Sequence, residues 1–176
     1  PVFTTRPDTL YGATFLVLSP EHPIVDEILE ELNLAGSSLA RSHLAKLKEY
    51  VGNARAKKKT EQERLAGPST GHSTLRGEPP GSDSKSSGQG KTGVFSGLYA
   101  INPINNEKIP IWIADYAVMG YGTGALFGDA HDKRDVEFAK KYKIPLKVTV
   151  ITGDKEKDRR IKNFEECFTG YGILID

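Results

Sequence analysis

Two short segments concentrate the side chains that could do chemistry. The first, Thr4-Thr5-Arg6-Pro7-Asp8-Thr9-Leu10-Tyr11-Gly12, sets threonine hydroxyls beside a guanidinium and a carboxyl. The second runs from Tyr121-Gly122-Thr123-Gly124-Ala125 to Ala130-His131-Asp132-Lys133-Arg134-Asp135. Threonine hydroxyls can donate and accept hydrogen bonds to a polar ligand. A carboxylate such as Asp135 or Asp132 can receive an ammonium, which loses hydration in a small pocket and needs a negative partner. Arg6 and Arg134 offer the planar donors that suit phosphate, and Tyr121 offers a ring on which a base can stack. Each residue also has a plainer use. Thr4 and Thr5 are ordinary strand formers, Thr9 can cap a turn, Arg6 can sit in a surface ion pair, and a lone His131 can be structural. Asp132-x-x-Asp135 has the spacing of a helix N-cap and a first-turn acid.

Familiar hydrolytic apparatus is missing from the sequence. There is no His-Glu-x-x-His and no Gly-x-Ser-x-Gly. Cys167 is the only cysteine, which rules out an intrachain disulfide and a Cys-x-x-Cys metal pair. What these residues offer is orientation and electrostatic stabilisation, with no metal expected.

The elements that must position these residues can be read from periodicity. Val2–Thr5 is β-branched and aromatic and predicts a strand, broken by Arg6-Pro7-Asp8. Ala13–Leu18 predicts a buried strand. Ser19-Pro20 supplies an N-cap and first-turn proline for a helix carrying Ile24, Val25, Ile28, Leu29 and Leu32 on one face. A second helix is predicted from about Ser42 to Leu65, with a basic second half (Arg55, Lys57, Lys58, Lys59, Arg64) that is either a solvated face or a contact for RNA phosphates. In 67–91, fifteen of twenty-five residues are Gly, Ser or Pro, too little apolar surface to offset ordering, so a flexible insertion is expected there. Tyr99–Ile101 and Ile109–Ile113 flank turn formers and predict a hairpin. A helix from Asp132 to about Lys143 is stopped by Pro145, and Leu146–Ile151 and Ile173–Ile175 predict further strands.

The 176 residues suit one domain with a real core, and a start without Met inside an apparent strand suggests a domain of a longer protein. A net charge of +1 gives no whole-molecule attraction for nucleic acid, so any contact needs a local patch. No run approaches the ~20 apolar residues of a membrane span. One thiol is compatible with a reducing cytoplasm.

Taken together and in order, the two segments resemble the threonine-rich and the glycine/aspartate motifs of the editing domain of bacterial-type leucyl-tRNA synthetases. Pro20-Glu21-His22-Pro23, Lys91-Thr92-Gly93-Val94-Phe95, Ile109–Asp115 and Phe138-Ala139-Lys140-Lys141-Tyr142 extend the resemblance to nearly the whole chain outside 67–90. The editing domains of the valyl and isoleucyl enzymes are the neighbouring alternative, but they carry other residues at Arg6–Thr9. A tRNA-docking module without catalysis is a further one. Within the family, the stretch before Ala-His-Asp is longer and contains methionine, valine and proline. Here it is Leu126-Phe127-Gly128-Asp129, so this pocket wall is not carried over from the family.

The resemblance implies an α+β fold with a β-barrel core and peripheral helices. It implies hydrolysis of the ester of leucine tRNA charged with norvaline, isoleucine or a similar error. Thr5 and Asp135 would be catalytic, and Thr4, Thr9, Tyr121, His131 and Asp132 would bind the substrate. Thr9 would exclude leucine, Asp135 would hold the α-ammonium, and Arg6 and Arg134 would meet the tRNA. The implied partners are the tRNA 3′ end and a synthetase body, with the protein a cytoplasmic monomer. No cofactor belongs to this domain, while the parent enzyme would use ATP and Mg. A second hydrolytic sieve answers a general limit, since one misplaced methyl is worth only about 1–3 kcal/mol in a binding site; synthetases are the standard example of that limit.

Overall fold

The computed structural model describes residues 2, 4–34, 38–66, 91–120 and 122–175. Four apolar strands build its centre: β1 (Phe15–Leu18), β2 (Gly93–Ile101), β3 (Lys108–Ala114) and β4 (Ala125–Gly128). They form one mixed sheet in the order β2-β3-β1-β4. β1 runs parallel to β3, with Leu16 opposite Ile111, and antiparallel to β4, with Phe15 opposite Gly128. β2 and β3 make the hairpin expected from the turn residues between them.

Successive side chains on a strand point to opposite faces, and both faces of this sheet are apolar. Phe15, Val17, Trp112 and Ala114 lie on one side, and Leu16, Leu18, Ile111 and Ile113 on the other. The second side is covered by α1 (Pro23–Leu34) and α2 (Ser38–Ala66) through Val25, Ile28, Leu47 and Val51. The first is covered by α3 (Lys133–Tyr142) through Phe138 and Ala139. Phe138 stacks on Phe15 with ring centroids 5.8 Å apart and meets Trp112 edge-on at 5.5 Å. Three layers result, helix pair, sheet and helix.

The expected barrel is therefore corrected: among the described residues the sheet is open. β4 is only four residues long and no strand pairs with its outer edge. The following extended segment is regular only in β5 (Val150–Ile151), which pairs with β6 (Ile173–Leu174). The Leu146–Ile151 strand is thus cut to two residues. The amides of Thr149 and Val150 donate to His131 Nε2, at 3.1 and 3.2 Å, instead of to a neighbouring strand.

Two other local expectations change. Val2–Thr5 joins no sheet in the described residues; Thr4 Oγ1 accepts the Arg6 N–H at 2.9 Å and turns the chain into a 3₁₀ helix, Pro7–Gly12, with Pro7 at its start. The first long helix begins at Pro23 and not at Pro20, because His22 Nδ1 takes the Ile24 N–H. An additional helix, α4 (Lys155–Lys162), starts on Asp154, whose side chain accepts the Lys157 N–H. The flexible insertion expected at 67–91 lies, but for Lys91, outside the described residues. In the basic half of α2, Arg55 donates to Pro20 O and Asp26, and Lys58 reaches Ser19 Oγ, Ala117 O and Glu21. Part of that charge therefore staples α2 to the β1–α1 turn. Among the described residues no helix is long and apolar enough to cross a membrane.

Candidate functional site

The start of α3 supplies the acids. Asp132 has extended backbone and its Oδ1 accepts the Arg134 N–H at 2.7 Å, so it is the N-cap that the spacing predicted. One turn on, Asp135 points inward and is 6% exposed. The hydroxyl of Tyr116, on the turn after β3, donates to Asp135 Oδ1 at 2.9 Å. No ion pair reaches Asp135 among the described residues.

The 3₁₀ helix supplies the hydroxyls. Thr9 is fully buried, with Oγ1 2.6 Å from Asp129 Oδ2 and 3.1 Å from Arg6 O. The hairpin tip clamps this helix from outside: Asn102 Nδ2 donates to Leu10 O at 2.9 Å and Asn105 Nδ2 to Tyr11 O at 3.1 Å. Between the two segments lies a hollow of about 150 Å³. Thr4, Thr5, Arg6 and Thr9 line one side, and His131, Asp132, Arg134 and Asp135 the other. Residues more than a hundred positions apart in the chain thus share one cavity. Tyr121 lies outside the described residues. A larger hollow of about 310 Å³, near Lys140, Pro145 and Phe164, is lined by no carboxylate or hydroxyl.

The charge balance of the smaller hollow is unusual. Burial pushes the Asp135 carboxyl well above the ordinary carboxylate value, and the nearby charges of Asp132 and Asp129 push it further; the Tyr116 hydroxyl and Arg134 only partly oppose them. Burial also raises Asp129, against hydrogen bonds from Thr9 and the His131 amide. Burial opposes ionisation of Asp132 too, but there the Arg134 guanidinium and helix N–H groups outweigh it and hold the carboxyl low. Tyr116 is raised by burial and by Asp135, and stays a donor. Three carboxyls and two guanidiniums line the hollow; Arg6 is engaged by Asp8 and Arg134 by Asp132, so Asp129 and Asp135 are left without an ion pair among the described residues.

The remaining residues have defined places. The Arg6 side chain binds Asp8 through Nε and Nη2 and the carbonyls of Thr169 and Gly170 through Nη1 and Nη2, clamping the N-terminal loop to the C-terminal segment. Arg134 grips Asp132 through Nε and Nη2 at 3.1 and 2.8 Å, leaving Nη1 without a hydrogen bond among the described residues. His131 is buried, and because Nε2 accepts two backbone N–H groups, Nδ1 carries the proton and donates to Phe168 O at 3.0 Å. The ring is a strut under the pocket. Burial, with Asp132 and Asp129 nearby, pushes the Cys167 thiol up to about 11, so it is a poor nucleophile at neutral pH.

One residue of this region, Tyr116, escaped sequence reasoning, and three more belong to the Leu126–Asp129 wall, for which no individual roles could be read. Leu126, Phe127 and Asp129 line the hollow, and Tyr116 supports Asp135 from behind. Tyr116 carried no signal, since its partner is nineteen residues away. Asp129 did carry one, an acid closing an apolar strand. Gly128 explains how the shortened strand fits: a Cβ there would run into the ring of Phe15. β4 lies flush against that ring and delivers Asp129 to Thr9.

Fold and site together define an α/β module with a small acid-lined hollow closed by a threonine-bearing turn. The family model described as "Leucyl-tRNA synthetase, editing domain" matches residues 1–76 and 78–176, and the chain belongs to that family. It is 43% identical over 176 residues to a leucine–tRNA ligase of Elusimicrobium minutum and 41% identical over 177 residues to one of Synechococcus sp. strain JA-3-3Ab, covering 99% and 100% of this chain. The chain spans 16% of the length of each of these relatives. A solved ternary LeuRS–tRNA–LeuAMS complex from Agrobacterium radiobacter K84 agrees with a TM-score of 0.54 at 28% identity, over 92% of this chain and 16% of that one.

Proposed function

We propose that this chain performs post-transfer editing, hydrolysing the ester that joins a wrong amino acid, such as norvaline or isoleucine, to leucine tRNA. The observation that carries the reading is Asp135: a buried carboxyl facing a small hollow, beside two further acids, with no ion pair among the described residues. An α-ammonium suits that carboxyl, and its charge would favour the ionised form of Asp135. At about 150 Å³ the hollow is smaller than the ~300–1,000 Å³ of ordinary small-molecule sites. It suits an aminoacyl group, with the terminal adenosine at the mouth near Thr4 and Thr5.

Chemistry then follows from placement. With the ammonium held by Asp135, the ester carbonyl lies toward the threonine side, where the hydroxyls of Thr4 and Thr5 orient the ribose and the attacking water. Water adds to the carbonyl, and the tetrahedral intermediate collapses with the ribose oxygen leaving and taking a proton. Neither a nucleophilic side chain nor a strong base is needed, because an aminoacyl ester is already activated; orientation supplies the rate. Thr9 stands where a branched γ-carbon would enter, its β-branched side chain presenting a methyl as the wedge in one of its few χ1 wells. Arg134, whose Nη1 has no hydrogen bond among the described residues, would meet a phosphate of the tRNA end more readily than Arg6, which is engaged by Asp8 and two carbonyls. Deacylation of norvalyl- and isoleucyl-tRNA(Leu), beside Asp135→Ala, tests the reading. Binding of these tRNAs without turnover would refute it in favour of a docking module.

A further inference from the structure

We infer that Asp129 is the positioning residue that sets the amino-acid selectivity of this pocket, by fixing the rotamer of Thr9. The inference rests on the reading that the hollow receives the aminoacyl group. Thr9 is fully buried and its hydroxyl has two partners. Arg6 O, at 3.1 Å, belongs to the same turn; Asp129 Oδ2, at 2.6 Å, is the contact from another element. Asp129 is itself held, since its Oδ1 accepts the His131 N–H at 2.6 Å and Gly128 seats β4 under Phe15. The line Phe15–Gly128–Asp129–Thr9 is therefore a rigid brace from the core to the pocket.

A wedge discriminates only while it is in place. If it is withdrawn for a fraction of the time, the excluded amino acid reacts at about that fraction of the accepted one's rate. Discrimination of about a hundredfold, within the range a single methyl allows, therefore needs the correct χ1 well occupied about 99% of the time. A short hydrogen bond to a buried carboxyl favours one well by about tenfold to a hundredfold. Both protonation states of Asp129 give this geometry. The carboxylate accepts the Thr9 O–H, whereas the neutral acid donates to Thr9 Oγ1 and frees that hydroxyl to donate to Arg6 O. Asparagine can reproduce the second arrangement, with Nδ2 toward Thr9 and Oδ1 accepting the His131 N–H. Alanine can reproduce neither.

The test compares Asp129→Ala and Asp129→Asn in the full chain, with Asp129→Ser in place of alanine should that variant not fold. Two quantities are measured: the χ1 of Thr9 from three-bond NMR couplings to its Cγ2, and the relative hydrolysis of leucyl- and norvalyl-tRNA(Leu). In Asp129→Ala the couplings should average, and the leucyl-to-norvalyl ratio should rise by about tenfold or more; Asp129→Asn should match the parent in both. A single retained rotamer in Asp129→Ala overturns the inference, as does an equal fall for both substrates. Failure of the parent chain to hydrolyse any mischarged tRNA would instead sink the reading of the pocket, and the selectivity role with it. Unaveraged couplings would sink the part assigned to Asp129 alone.

Discussion

Replacing Asp135 with asparagine should push activity and stability in opposite directions. The side chain keeps its shape, and Tyr116, which donates at 2.9 Å, keeps an acceptor. Only the charge is lost. A buried charge left without its partner costs roughly 3–5 kcal/mol, and here the stranded charge is the substrate's ammonium. At about 1.4 kcal/mol per decade, kcat/KM for norvalyl-tRNA(Leu) should fall at least about a hundredfold. Stability follows from proton linkage. The folded-state carboxyl is raised well above the ordinary carboxylate value by burial and by neighbouring acids, so between that value and the raised one the folded chain binds more protons than the unfolded. The parent chain must lose stability as pH rises through this window, whereas Asp135→Asn cannot lose it by this route. The melting temperatures of the two proteins should diverge with rising pH, in favour of the variant. Single-turnover deacylation and melts from about pH 4 to about pH 9 measure both effects. Activity within about threefold of the parent, or a stability difference that stays flat with pH, would refute the reasoning.

The other predictions bear on the supports of the site. Thr9→Ala should admit leucine, raising leucyl-tRNA(Leu) hydrolysis by about 10–200-fold relative to norvalyl-tRNA; unchanged discrimination in a deacylation assay would count against the wedge. Tyr116→Phe removes one charge-assisted hydrogen bond, worth about 1.5–3 kcal/mol, and should lower kcat/KM by about tenfold or more. Because that hydroxyl lowers Asp135 against the effect of burial, its loss should also move the acid limb of the pH–rate profile to higher pH, which a profile of kcat/KM would show. His131→Ala strands the amides of Thr149 and Val150 and the carbonyl of Phe168, at about 1–3 kcal/mol each. Faster hydrogen exchange at Thr149 and Val150 is expected, and protection equal to the parent's would dismiss the strut.

What could be read from the sequence was what is local. α3 announces itself because Asp132 caps it within two residues and Pro145 follows its end, with Lys143 in the left-handed conformation between them. β1 and β3 are legible as short apolar runs, and the hairpin as two runs around turn formers. Strand pairing is not local, so nothing in Ala125–Gly128 or Leu146–Ile151 reveals that the sheet stops at β4. Nor could Val2–Thr5 reveal that Thr4 would spend its hydroxyl on Arg6 N–H rather than join a neighbour. The first-turn proline of α1 was misassigned because Pro20 and Pro23 carry the same local signal, and only the His22 ring separates them. The two chemical segments are legible through their resemblance, in order, to the motifs of the editing-domain family. Their meeting across one hollow, and the Tyr116 and Asp129 contacts that complete it, depend on the tertiary fold.

The parallel pairing of β1 with β3 also constrains how the chain reaches this fold. Leu16 must find Ile111, and Phe15 must find Gly128, so the middle of the sheet closes a loop of roughly ninety residues or more. By contrast, α1 and α2 are sequence neighbours and share Val25, Ile28, Leu47 and Val51. During synthesis the helix pair can assemble first and hold β1 as an unpaired apolar ribbon until the hairpin emerges. The hollow, built from both ends of that delayed closure, is then among the last features of the chain to take shape.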